Sequence, residues 1–85
     1  MAVVRSPTVP RIVRVSGVQG GEPIVRGTRV PVRAIVLTWR AEGSVPVVLQ
    51  AYPRLTKDDV HAALDYYATH RSEVDEIIRS QLEIE

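Results

Sequence analysis

The chain has 85 residues, 45% of them apolar, which is enough for one small globular domain. The absence of cysteine excludes disulfides, Cys-ligated zinc and thiol chemistry. No apolar run approaches the roughly 18–20 residues of a membrane span, and residues 1–10 lack the apolar core of a signal peptide. We therefore expect a cytoplasmic protein, and because so short a chain builds only a marginal core, a homodimer or higher homo-oligomer.

The net charge of +1 conceals two halves of opposite sign. Residues 1–54 carry eight arginines against two glutamates, while residues 55–85 carry three basic residues against eight acids. Ten of the eleven basic residues are arginine, whose planar fork suits phosphates and carboxylates. This split predicts an anionic partner for the first half and a basic or identical partner for the second.

The first half begins with a proline-containing arm over 1–10. The β-branched run 11–15 predicts a short strand, the glycines after Gln19 predict a turn, and residues 23–26 predict a possible second strand. Pro31 then suits the first position of a helix. After it, apolar residues recur at helical spacing (Val32, Ile35, Val36, Trp39).

Local signals place the remaining helices. Gly43 is suited to end the first helix, and Ser44 to cap a second one through Ala51. After a turn over 52–55, Thr56 and Asp59 form a near capping box for a third helix. Its predicted core stripe is Val60, Ala63, Leu64, Tyr67 and Ala68, and a last helix over 72–82 carries the stripe Val74, Ile77, Ile78 and Leu82.

Together these elements predict a mostly α fold. It is a small helix-turn-helix-like bundle of three to four helices, homeodomain- or winged-helix-like, with a short N-terminal β element. We expect three parts, namely a flexible arm (1–10), a helix-turn-helix-like domain (11–70) and an amphipathic C-terminal helix (71–85) for a partner or for self-association.

Three segments carry a more specific likeness. The run from Gly21 to Val32 (GEPIVRGTRVPV), with YPRLT at 52–56 and AALDYY at 62–67, resembles the bacterial family called domain of unknown function 433. The resemblance implies a helix-turn-helix antitoxin of a type II toxin–antitoxin pair, similar to Vap-type antitoxins, with a PIN-like ribonuclease toxin as its partner. It implies no catalytic residue.

The arginines of the first half are candidate DNA contacts. Arg26 and Arg29 flank a turn of small residues in which Thr28 offers a hydroxyl to a phosphate. Arg33, Arg40 and Lys57 extend the predicted DNA-binding set. The alternative is that these arginines bind acids of the chain's own second half or of a partner subunit. The third helix, with acids near its start, is predicted to be mainly structural or dimer-forming.

The last helix is the candidate partner surface. We expect Val74, Asp75, Ile77, Ile78 and Leu82 to bind the toxin or another partner as a helix in a groove. The equally weighted alternative is that this stripe packs on its own bundle or on a second subunit. Under the first interpretation, deleting residues 72–85 abolishes neutralisation and leaves a folded core.

No arrangement of residues predicts catalysis or a metal. His61 and His70 are nine residues apart and lack an accompanying acid or nucleophile, so we interpret them as solvated or capping. Trp39 and Tyr67 are predicted to pack in the core, and Tyr66 to lie at an exposed interface. The predicted function is an antitoxin that also represses its own operon, without enzymatic activity or cofactor. The alternatives are a stand-alone DNA-binding regulator and a homo-oligomeric interaction module.

Overall fold

Two short strands precede four helices in the computed structural model, which describes residues 10–82. Strands β1 (Ile12–Val13) and β2 (Ile24–Val25) pair antiparallel, and a 3₁₀ turn lies between them. The helices are α1 (Val32–Glu42), α2 (Val45–Ala51), α3 (Lys57–Thr69) and α4 (Arg71–Leu82). The predicted mostly α fold with a short N-terminal β element is confirmed. The predicted arm lies outside the described residues, except for Pro10.

The helix ends follow the local signals in the sequence. Gly43 ends α1 in the left-handed conformation (φ 76°), and its N–H donates to the Trp39 carbonyl at 2.6 Å. Ser44 caps α2 by accepting from the Val47 N–H. At α3, Thr56 Oγ1 accepts from the Asp59 N–H while Asp59 Oδ2 accepts from the Thr56 N–H, a complete capping box.

One hydrophobic core joins all four helices to β2. Val74 and Ile78 of α4 are buried in it, so the last helix packs on its own bundle. Deleting residues 72–85 would remove both core residues, so we expect such a truncation to destabilise the fold instead of leaving a folded core. The buried residues of this core cluster are Val25, Val32, Ile35, Val36, Val48, Leu55, Val60, Ala63, Tyr67, Val74 and Ile78.

The core prediction was wrong for two residues. Trp39 is 36% exposed, and Ala68 is also exposed. Each lies in the last turn of its helix, where helical spacing sets the direction of a side chain but not whether another element covers it. Leu55, in the turn before α3, was not predicted and is buried. Within residues 10–82, no helix combines the length and apolarity needed to cross a bilayer.

Candidate functional site

The turn between β2 and α1 presents two of the predicted DNA-binding arginines. Gly27 adopts the left-handed conformation there (φ 84°). The Thr28 hydroxyl donates to the Val25 carbonyl at 2.8 Å and accepts from the Val30 N–H at 2.9 Å. Its single proton is therefore committed inside the turn, and Thr28 holds the turn together instead of donating to a phosphate as predicted.

An open groove of about 570 Å³ lies beside this turn. Its apolar lining comes from Val15, Val18, Ile24 and Val30, and its two cationic side chains are Arg29 and Arg54. We call it the arginine groove. Both arginines are exposed, and the Gln19 side-chain amide fixes the turn by donating to the Arg29 carbonyl at 2.9 Å.

Arg54 was not among the predicted site residues. It comes from the turn between α2 and α3, far from Arg29 in sequence, and only the tertiary fold brings the two to one groove. Arg26 lies in the same turn as Arg29 and is exposed; its Nε donates to the Pro10 carbonyl at 3.3 Å. Within residues 10–82, no carboxylate forms an ion pair with Arg26, Arg29 or Arg54.

Arg33 is in the opposite situation. Its Nε donates to Glu22 Oε1 at 3.0 Å and its Nη2 to Glu22 Oε2 at 3.3 Å, a bidentate pair. The side chains of Arg33 and Glu22 are only 20% and 10% exposed. Arg33 therefore has a structural role, and this corrects its predicted role as a DNA contact. The sequence signal was the presence of Glu22 as an isolated acid in a cationic segment.

Arg40 is bound to the last helix. Its Nη2 donates to the Tyr67 hydroxyl at 2.6 Å and to Asp75 Oδ1 at 3.2 Å. The Tyr67 hydroxyl donates to the same carboxylate oxygen at 2.8 Å. Arg40 is half-exposed but not free, so it is not an open DNA contact. Lys57 is exposed in the first turn of α3.

The start of α3 is occupied by a further ion pair. Arg11 Nη1 donates to Asp59 Oδ1 at 2.9 Å, and its Nη2 lies 3.6 Å from Asp58 Oδ2. Burial by itself would raise the pKa of the Asp59 carboxyl, but hydrogen bonds from Thr56 and Arg11 and the charge of Arg11 together lower it. These contacts favour the predicted structural role of α3.

The predicted partner residues of α4 divide into two groups. Val74 and Ile78 are buried in the core, and Asp75 is bound to Arg40 and Tyr67, so these three are engaged within the chain. Ile77 is half-buried. The Leu82 side chain lies outside what the structure describes.

The structure also places the remaining aromatic and titratable candidates. The Tyr66 ring stacks on the His70 ring with 3.9 Å between centroids, and its hydroxyl donates to Glu73 Oε1 at 2.8 Å. His70 ends α3, and His61 is exposed on it. Among residues 10–82, no three His, Asp or Glu side chains come together in a group that could hold a metal ion.

Much of the opposite charge on the two halves is thus engaged in ion pairs between them. Arginines 11, 14 and 40 of the first half pair with acids 58, 59, 73 and 75 of the second. The alternative interpretation, in which arginines bind the chain's own acids, applies to these residues. It does not apply to Arg26, Arg29 and Arg54, which are exposed and have no acidic partner among residues 10–82.

The chain is similar to known proteins in sequence and in fold. The family described as "Protein of unknown function (DUF433)" matches residues 12–67, which include the strands, the turn, α1, α2 and most of α3. A crystal structure of a DUF433 member protein from Anabaena variabilis is similar with a TM-score of 0.71 and 34% sequence identity, over 81% of this chain and 68% of that one. No curated protein matches the chain. The chain therefore belongs to the DUF433 family.

Proposed function

We propose that this protein is the antitoxin of a type II toxin–antitoxin pair, which binds a PIN-like ribonuclease and represses its own operon through DNA. The resemblance of its sequence motifs to the DUF433 family, which implies a Vap-type antitoxin, motivates the toxin partner. The observation that carries the DNA-binding part is the set of exposed arginines at and beside the arginine groove, which have no acidic partner among residues 10–82.

The arrangement of these arginines suits a sugar–phosphate backbone. Each guanidinium offers several N–H donors in one plane, which matches phosphate oxygens. The turn that carries Arg26 and Arg29 is held by the Thr28 hydroxyl and the Gln19 amide. Because the turn is already ordered, little conformational entropy is lost when its arginines bind.

The start of α3 supports the same division of roles. A major-groove reading helix needs exposed donors and acceptors near its N-terminus. Here Asp59 is committed to the capping box and to Arg11, and the exposed Asp58 carboxylate would be repelled by phosphates. This leaves Lys57 and His61 as the exposed groups suited to reach DNA. We therefore propose that backbone contacts from the arginine groove contribute most of the affinity, and that base reading is limited.

Salt dependence tests the DNA-binding part. Arg29→Ala and Arg54→Ala should each weaken binding to the DNA upstream of the gene, measured by fluorescence anisotropy from low to high salt. Each lost phosphate contact should reduce the log–log salt slope by about 0.9. The matched control is Arg79→Ala, an exposed arginine of α4 that pairs with Glu76 on its own helix. Equal slopes in all three variants would show that the groove does not contact DNA.

The toxin-binding part is proposed for the outer face of α4. Val74 and Ile78 anchor the helix to the core, so a partner would contact Ile77 and the charged residues beside it. The antitoxin would then act by covering the toxin's active site or substrate path, without chemistry of its own. An extended helix detached from the bundle is not needed for this contact.

Co-expression tests the toxin partner. The chain should form a stable complex with the protein encoded beside its gene, seen by size-exclusion chromatography with light scattering, and the complex should have no ribonuclease activity. A homodimer that leaves an active neighbouring ribonuclease untouched would contradict the antitoxin role. The exposed arginines would then favour the stand-alone DNA-binding regulator.

A further inference from the structure

Two similar clusters attach α4 to the rest of the molecule. In the first, the Tyr66 hydroxyl donates to Glu73 Oε1 at 2.8 Å while Arg14 forms an ion pair with Glu73 Oε2. In the second, the Tyr67 hydroxyl and Arg40 both bind Asp75 Oδ1. Each cluster joins an arginine from the first half of the chain, a tyrosine of α3 and a carboxylate of α4.

The two carboxylates hold α4 from different sides. Glu73 and Asp75 are two residues apart, about 200° around a helix, so one faces the segment after β1 and the other faces α1. Arg14 lies next to the arginine groove, because the following residue, Val15, lines that groove. Arg14 also donates to the Gly21 carbonyl at 3.1 Å.

These two ion pairs are more exposed to solvent than the Arg33–Glu22 pair. The side chains of Arg14 and Glu73 are 51% and 29% exposed, and those of Arg40 and Asp75 are 45% and 37% exposed. Ion pairs at the surface contribute little net stability, so an incoming phosphate can replace the carboxylate at small cost. A phosphate cannot replace Glu22 at Arg33 in this way, because separating that pair leaves an uncompensated buried charge.

We infer that Arg14 and Arg40 are a second set of phosphate contacts, masked by α4. In the free protein, Glu73 and Asp75 occupy the positions at these guanidiniums that phosphate oxygens take when DNA binds. The last helix therefore restrains DNA binding. The inference rests on the proposed DNA-binding function and adds its regulation.

The masking predicts how a protein partner and DNA influence each other. A partner that draws Glu73 and Asp75 into its own contacts releases both arginines and strengthens DNA binding. Because binding free energies are reciprocal, DNA strengthens partner binding by the same factor. A partner that leaves the two carboxylates in place has no such effect.

Removing the charge of one carboxylate at a time tests whether α4 masks Arg14 and Arg40. The full chain is used, without any partner. Asp75→Asn and Glu73→Gln should each bind the upstream DNA more tightly by about three- to tenfold, the gain of one charge-assisted contact. The salt slope should become steeper by about 0.9 in each variant. The matched control is Glu76→Gln, which removes the same charge from the same helix and releases Arg79 instead.

A second variant tests whether the gain in DNA affinity comes from the released arginine. Arg40→Ala in the Asp75→Asn background should return the affinity and the salt slope to wild-type values, and circular dichroism should show that each variant is folded. If Asp75→Asn and Glu73→Gln behave like Glu76→Gln, the mask is overturned although the DNA-binding function stands. If wild-type protein and all variants fail to bind DNA, the proposed DNA-binding function has failed, and the mask fails with it.

Discussion

Arg29 and Arg33 are four residues apart and have opposite roles. Arg33 is held by both oxygens of Glu22 in a largely buried pair that connects the segment before β2 to α1. Arg29 is exposed beside the arginine groove, without an acidic partner among residues 10–82. The difference lies in where the acids are, since both residues belong to the same cationic stretch of sequence.

A third kind of arginine lies between these extremes. Arg11, Arg14 and Arg40 pair with acids of α3 and α4 while staying about half-exposed. The comparison shows that an arginine's availability depends on two quantities, the presence of an acid within reach and the exposure of the pair. A buried pair contributes to stability, and an unpaired arginine is available for recognition. An exposed pair contributes little to stability, and its arginine can leave the acid to bind another anion.

The largest expected effect on stability comes from breaking the buried Arg33–Glu22 pair. Glu22→Gln should lower the free energy of unfolding by about 2 kcal/mol, because the Arg33 guanidinium loses its charged acceptor. The cost stays below that of a fully buried pair because Arg33 is 20% exposed. Urea denaturation gives the value, and Glu42→Gln, an exposed acid at the end of α1, is the control. Equal stability of the two variants would show that the pair is not structural.

An intermediate effect is expected inside the Arg26–Arg29 turn. Thr28→Val keeps the shape of the side chain and removes both hydrogen bonds of the hydroxyl, which should cost about 1 kcal/mol of unfolding free energy. Its affinity for DNA should stay at the wild-type value. Arg29→Ala should do the reverse, weakening DNA binding and leaving stability unchanged. A lower DNA affinity of folded Thr28→Val would restore the predicted role of Thr28 as a phosphate contact.

The smallest effect concerns the Arg11–Asp59 pair at the start of α3, whose arginine is about half-exposed. The pKa of Asp59 is lower in the folded chain, so its carboxylate stabilises the fold at neutral pH and this contribution is lost as pH falls through the folded pKa. Asp59→Asn should destabilise the protein by about 0.5 kcal/mol at pH 7, with the difference from wild type vanishing as pH falls through the folded pKa of Asp59. Thermal unfolding across pH measures it, and a constant difference would contradict the ionic origin.

The elements of the fold were largely predictable because their signals are local. Gly43, Ser44 and Thr56 act on backbone groups within a few residues of themselves, so short-range chemistry is enough to end or begin a helix there. The strands were predicted in the right places but extended too far. Their ends depend on pairing across the sheet, which the residues of one strand do not specify.

The candidate site was only partly predictable. Arg26 and Arg29 follow from their shared turn, whereas Arg54 reaches the groove through the packing of α2 and α3. Arg33 and Thr28 had the right chemistry for DNA but are used by partners inside the fold. Trp39 had the right spacing for the core, but no element covers it fully at the end of α1.

The sequence by itself determined the helices, their caps, the charge split and the family, because each is written in spacing, composition or motif. Only the tertiary structure decided which arginines are free, since an ion pair depends on distances between residues far apart in the chain. It also decided the place of α4. Helical spacing makes one face of α4 apolar, but the burial of Val74 against the other helices makes that face part of the core.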